Sequence, residues 1–563
     1  MNKKFFLPFI AIIAILTFSS CAGKLTPLSD QYIKAEPQPL EAIGGEVPVA
    51  INATFPAKWF NKNAIVTVTP VLRYATGETW GASYAFQGEK VKANNQVVSF
   101  AGGGNATMRS KFEYKDAMKK SELYLTFDAK IKNKTVKLPD IKIADGVIAT
   151  AMLADASTAN PAIGADKFQR IIKEAYDANI MFLIQQAELR SRELGKAEIT
   201  DWKNLVDNAN QAPNQNVAVE ISAYASPDGG VKLNDALAGR RETNTRNYLN
   251  SELKKRKIDI PVDTRYTAQD WEGFRDLVSK SNLQDKDLVL RVLSMYTDPE
   301  QREQEIKNIS TVFKALADEI LPQLRRSRLT ANIEIIGKSD EEIASLAKSN
   351  AGSLNIEELL YAATLTDNAA EKETIYTKAS SIFPNDYRPW NNIGMQRFRS
   401  GDFVKAEEMF NKANSVKNNS EANINLGLLA LLKGDKAKAQ QLFGSASDVP
   451  ELGEALGLLY LTQGDYARAV SSFAGLKSNN AALAQILTRD YSTAAQTLNA
   501  VKTPDAITDY LKAVVAARTN DASGVVSNMK AAIAKDRSLT REAAVDLEFA
   551  KYMTNASFTE LLR

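Results

Sequence analysis

The chain contains no histidine and a single cysteine, Cys21. The first absence removes the commonest general base, the Ser-His and Cys-His nucleophile pairs and imidazole metal ligation together. The second excludes an intrachain disulfide and a thiolate zinc cluster. Any chemistry would have to run on carboxylates, lysine or tyrosine, and no pair of acids is set out across a cleft. Asp270 and Glu272 stand two apart beside Trp271, which reads as a core anchor rather than a catalytic pair. Excess charge is also lacking. The net charge is +3, and Lys3 and Lys4 supply two of those charges, so nothing favours nucleic acid as a partner. The expectation is a protein with no catalytic residues, no cofactor and no metal.

What is present begins with length. At 563 residues the chain exceeds one core and calls for several units. Residues 1–20 carry Lys3 and Lys4, an apolar run over 5–18, then Ser19 and Ser20, the pattern of a secretory signal too short to span a bilayer comfortably. Cys21 follows directly, and this arrangement resembles a bacterial lipobox. The resemblance implies that Cys21 is the lipidated first residue of the mature chain, since two or more acyl chains anchor stably where one does not. Residues 21–40 then read as a lipidated tether. From 41 to 155, alternating segments at 47–55, 64–74, 97–101, 112–114, 123–132, 134–138 and 147–151 predict an all-β sandwich. Residues 101–104 are a loop tip within it; a phosphate-cradling glycine loop needs a helix after it, which is missing.

Residues 160–338 predict an α/β domain. A helix is expected near 163–175, Ile180, Phe182 and Ile184 alternate after it, and Thr200 is placed to cap a helix over Trp202, Leu205 and Val206. Then Val217, Val219 and Ile221 alternate with polar or small residues as a strand, Pro227, Asp228, Gly229 and Gly230 make a turn, and Leu233, Leu237, Arg241, Thr245 and Leu249 recur at helical spacing. On an exposed face Arg240 and Arg241 would be ordinary solvated charges. Strand, aspartate-bearing turn and helix with Asn234, Leu237, Arg240, Arg241, Tyr248 and Leu249 resemble the OmpA-like peptidoglycan-associated domain.

The resemblance implies a site for the diaminopimelate of the cell-wall peptide, held by a turn aspartate and a helix arginine. Here the arginine is Arg241 and the aspartate position is Ser226, whose hydroxyl cannot hold an ammonium group by charge; Asp228 lies two residues on. An arginine pair before the last strand, 332–336, matches Arg325 or Arg326. The candidate peptidoglycan-binding set is therefore Ser226, Asp228, Asn234, Arg241, Arg325 and Arg326. The DWEGF segment starting at Asp270 and the ILPQLRR segment starting at Ile320 resemble expanded OmpA-like domains of Bacteroidetes envelope lipoproteins.

A polar linker is expected over 339–352, and an all-α solenoid over 353–563. Gly394 and Gly427, Ala406 and Ala439, and Phe410 and Phe443 are each 33 apart, and Gly457, Ala469 and Phe473 continue the series at 30. With Trp390 at the aromatic opening position this resembles the tetratricopeptide repeat, whose period is about 34. Small residues would let paired helices approach while Phe410 fills the gap to the next repeat. Gly-Asp turns recur, with Asp490–Tyr491 and Asn520–Asp521 standing in, and residues 542–563 close the array. Such a solenoid exposes a concave groove for segments of other proteins.

Together these patterns imply a non-enzymatic envelope scaffold, lipid-anchored in the outer membrane and facing the periplasm. It would touch peptidoglycan through one domain and protein partners, such as an outer-membrane barrel complex, through the repeats. The alternative keeps the folds but makes the OmpA-like domain a protein-docking module in an outer-membrane assembly, secretion or fimbrial machine.

Overall fold

The computed structural model describes Leu25 and residues 27–563 apart from Gln284 and Ile309, so the expected signal and the expected lipidation of Cys21 lie outside the described residues. The chain divides into two units: residues up to Ala165 together with Asn368–Arg563, and Asp166–Asp367.

In the first unit, Glu46–Phe55 alternates buried residues with half-buried or exposed ones along its whole length, as its Val-x-Val-x-Ile sequence requires. It pairs with Ile33–Glu36 on one side and Gly104–Glu113 on the other. A second sheet is built on Ala64–Tyr74 and Ser121–Ile131, and both sheets contribute to one apolar core. The stretch expected as a free tether is part of this body. Leu25 and Leu28 are buried in its core, and Leu40–Glu41 pairs with Val147–Ile148. Composition had suggested a linker because the strand at 33–36 is short and flanked by prolines. The segment expected at 112–114 is the end of a ten-residue strand.

Asn368–Arg563 stacks antiparallel helical hairpins. Their first helices are Tyr387–Arg399, Ser420–Leu432, Leu452–Gln463, Asn479–Leu487 and Ala506–Arg518, and their second helices Phe403–Val416, Lys436–Gly444, Tyr466–Ser472, Tyr491–Asn499 and Ala522–Lys535. Between the two helices of a hairpin, a residue with positive φ precedes an aspartate that caps the next helix. Gly401, Gly434 and Gly464 have φ of 79°, 78° and 83°, and Asp402, Asp435 and Asp465 accept from the backbone N–H three residues on. In the last two hairpins Arg489 and Asn520 take the glycine's place before Asp490 and Asp521. The stand-in in the fourth hairpin is thus Arg489–Asp490 rather than Asp490–Tyr491.

The expected packing residues meet within one hairpin. A Cβ on Gly394, Gly427 or Gly457 would come within 2.6, 2.2 and 2.6 Å of the rings of Phe410, Phe443 and Phe473. Each phenylalanine therefore sits on the glycine of its own hairpin, a correction to its expected place toward the next repeat. Ala406, Ala439 and Ala469 are fully buried beside them, and Trp390 packs half-buried at the edge of the same core. The two-sheet body rests directly on this array. Lys436 Nζ donates to the Gly44 carbonyl (2.8 Å), and Lys119 pairs with Glu542 (2.6 Å).

In the second unit, β1 (Ile171–Met181), α1 (Ala197–Gln211), β2 (Gln215–Tyr224), α2 (Val231–Arg256), β3 (Val262–Thr267) and β4 (Arg326–Ile336) form one four-stranded sheet with helices. The order is β1-β4-β2-β3, β4 running antiparallel to both neighbours and β3 parallel to β2. The helix expected over 163–175 is absent. Residues up to 169 are irregular and β1 then pairs with β4 over eleven residues. Most of residues 171–177 are exposed on this edge strand, so period-2 burial shows only at its end, at Ala178 and Ile180. Thr200 lies inside α1, which starts after Lys196, and its hydroxyl donates back to the Lys196 carbonyl. The linker expected over 339–352 holds a helix, Asp340–Ser349, capped by Ser339 and anchored by the buried Ile343 and Ala347.

Candidate functional site

The turn between β2 and α2 carries the residues singled out by the strand-turn-helix pattern. Asn234, in the first turn of α2, donates its carboxamide to the carbonyls of Ser226 (2.9 Å) and Gly229 (2.8 Å) and so fixes the turn. Ser226 Oγ donates to Asp228 Oδ1. Arg325, on the turn before β4, brings Nη2 to 3.1 Å from Asp228 Oδ2 and Nε to 3.3 Å from Ser226 Oγ. Ser226, Asp228 and Arg325 thus form one corner in which an acid and a guanidinium neutralise each other, with the Asp228 and Arg325 side chains 19% and 12% exposed.

Arg326, one residue on, points elsewhere. It pairs with Asp270 (2.9 Å), donates to the Gln323 carbonyl (3.0 Å) and lies over the Tyr224 ring at 4.7 Å. Asp270 also caps the helix Trp271–Lys280 by accepting from Gly273 N–H, which gives the DWEGF segment a structural task.

Arg241 is placed against expectation. It is 0% exposed, and its guanidinium donates to the carbonyls of Gln186 (2.9 Å), Tyr224 (2.8 Å) and Leu183 (3.2 Å) while lying 4.9 Å from the centre of the Phe182 ring. Burial, and then the nearby Arg325, lower its pKa to about 10, against the opposing pull of Asp228. It ties the loop after β1 to the end of β2 instead of facing solvent. The physical reason is that two loop carbonyls and the carbonyl at the end of β2 converge on one spot, and a guanidinium donates to all three in one plane. Arg240 beside it is exposed.

The helical array has a second site that sequence reasoning missed. The face made by the first helices carries Asn392, Asn425 and Asn480, each ten residues before a capping aspartate. That repeat was legible in the sequence as an asparagine at a fixed distance from Asp402, Asp435 and Asp490. Each carboxamide holds both backbone groups of one residue from the segment that follows the two-sheet body. Asn480 takes Asp155 (3.0 and 2.9 Å), Asn425 takes Ala162 (2.7 and 2.8 Å) and Asn392 takes Gly164 (2.8 and 2.9 Å). In the third hairpin the equivalent position is Ala455, and its neighbour Glu454 accepts instead from the backbone and side-chain N–H of Asn160 (3.2 and 3.0 Å). Burial raises the pKa of Glu454. The face expected for other proteins is therefore occupied by this chain's own residues.

Among the described residues no helix is long and apolar enough to cross a membrane, and no group of three or more acidic, cysteine or histidine ligands could hold a metal ion. No protein-family model matches the chain, and no curated protein matches it. Solved structures that match include a tetratricopeptide repeat protein from Parabacteroides merdae, at 18% identity over 40% of this chain and 89% of that one (TM-score 0.27). Others are Pseudomonas aeruginosa pilF, at 16% over 40% and 98% (TM-score 0.27), and yeast Tom70, at 12% over 58% and 77% (TM-score 0.25). At these values the likeness carries no functional argument, and the hairpin array stands on its own geometry.

Proposed function

We propose that the protein is a non-enzymatic cell-envelope scaffold: anchored in the outer membrane through a lipid on Cys21, facing the periplasm, and touching peptidoglycan through an OmpA-like domain formed by Asp166–Asp367. The N-terminal β-sandwich and the tetratricopeptide array make up its other body, and the array serves protein contacts. The observation that carries the wall-binding part is the corner of Ser226, Asp228 and Arg325. A diaminopimelate end is both ammonium and carboxylate. Asp228 suits the first and Arg325 the second, so such a ligand would replace one internal ion pair with two charge-assisted contacts. Asp228 takes over the part that Ser226 cannot play, and Arg325 the part closed to the buried Arg241.

The test is sedimentation of the soluble chain, begun after Cys21, with insoluble peptidoglycan. Wild type is expected to sediment, while Arg325→Ala and Asp228→Asn stay in solution with unchanged thermal melting. Sedimentation of all three proteins alike would remove the corner from the site. If wild type itself stays in solution, the domain docks protein, as an accessory part of an outer-membrane assembly, secretion or fimbrial machine would.

A further inference from the structure

The segment 154–165, reading ADASTANPAIGA, is an irregular stretch held to the array at residue after residue. It has no regular structure beyond the short turn Ala156–Thr158, yet Ala156, Ala159 and Ala162 are buried in the same core as the helical array. It runs opposite to the repeat order: Asp155 meets the fourth hairpin, Asn160 the third, Ala162 the second and Gly164 the first. A second asparagine, Asn391, also donates to the Ala162 carbonyl (2.9 Å), and Arg388 Nη1 to the Ala165 carbonyl (3.2 Å).

Two features set this apart from an ordinary connecting loop. The contacts read mostly main chain; the exceptions are the Asn160 carboxamide on Glu454 (3.0 Å) and the Thr158 hydroxyl, which accepts from Asn480 (3.0 Å). Three asparagines in equivalent positions each satisfy the N–H and C=O of one residue, as a receptor for extended polypeptide does. The buried apolar side chains that face the array are then restricted by size. Ala156, Ala159 and Ala162 have room for a methyl group, Pro161 has no N–H to leave unsatisfied, and a Cβ on Gly164 would come within 2.8 Å of Arg388 Cβ.

We propose that residues 154–165 are a built-in ligand that closes the peptide-binding face of the array. A protein partner reaches that face only with an extended segment of the same kind, small at each buried position, that displaces it. Recognition of main chain makes the exchange chemically even, because the same asparagines serve either segment. Tethering places the resident segment at an effective concentration on the order of millimolar, so a free peptide competes poorly while it is in place. This proposal does not depend on the wall-binding corner.

The experiment uses the full soluble chain and a fluorescent peptide of sequence 154–165. Wild type is expected to capture the peptide at least tenfold more weakly than a variant whose own segment is replaced by Gly-Ser repeats of equal length. A peptide carrying Gly164→Val should lose that capture. Equal capture by wild type and variant, or no capture by the folded variant, overturns the proposal. Because the replaced segment also supports the fold, Gly164→Val in the otherwise intact chain, which crowds the resident segment against Arg388 and leaves every asparagine of the array in place, gives an independent readout. Amide exchange at Ala162 should accelerate at least tenfold while the helices of the array keep their protection, and peptide capture should rise. Unchanged exchange and unchanged capture in that variant also overturn it.

Discussion

Arg241 shows how one residue type can serve opposite purposes. Its three carbonyl partners, on Gln186, Tyr224 and Leu183, converge on one dry place, where the guanidinium closes a set of backbone bonds; the Leu183 carbonyl also accepts from Gln186 N–H (3.2 Å). Leaving buried carbonyls unpaired costs about 1–3 kcal/mol each, although relaxation and water entry recover part of it. Arg241→Ala is therefore expected to lower the stability of its unit by about 3 kcal/mol in urea titration. Arg241→Lys should recover only part of this, since an ammonium cannot span the three acceptors. Loss of wall sedimentation in Arg241→Ala would report unfolding, whereas loss in Arg325→Ala with unchanged melting would report the corner itself. The motif pointed to both arginines, but only the fold distinguishes the one that faces inward.

Helix pairs obey a simpler rule. Gly427 is a poor helix former, and alanine in its place would gain about 1 kcal/mol from propensity alone. Its missing Cβ is where the Phe443 ring lies, 2.2 Å from the added carbon, and overpacking of this kind costs about 1–3 kcal/mol. Packing wins in a buried hairpin. Gly427→Ala should destabilise the array by about 1 kcal/mol, and adding Phe443→Leu should return part of the loss, a coupling measurable in a double-mutant cycle.

Glu454 adds a pH dependence to the same element. Its raised pKa means the folded state favours the protonated form, so its contribution to stability is fully present below the ordinary glutamate range and is lost as pH rises through the elevated value. Glu454→Gln keeps an acceptor for Asn160 and removes the charge. It should melt higher than wild type at neutral pH, and the difference should vanish as the pH is lowered toward 4. A gap that widens on acidification would contradict the burial argument.

At the scale of the whole molecule, two sequence-distant regions, the two-sheet body and the helical array, make one unit, and the α/β unit is inserted between them in the chain. The sequence alone determined the repeat period, the recurring glycines and phenylalanines though not their pairing, the strand-turn-helix at 215–256 and most long strands, because each is written in a periodicity and enforced by burial on one face. It also displayed the asparagines ten residues before the capping aspartates, though not what they hold. Tertiary structure decided the remainder. The edge strand Ile171–Met181 has too little burial to show a period along most of its length, the end of the expected tether pairs through Leu40 with Val147 far along the chain, and Arg241 and Arg325 differ only in what surrounds them. The segment 154–165 belongs with these. Its small residues have no pattern of their own, and its place on the array is set by backbone groups that every sequence carries alike.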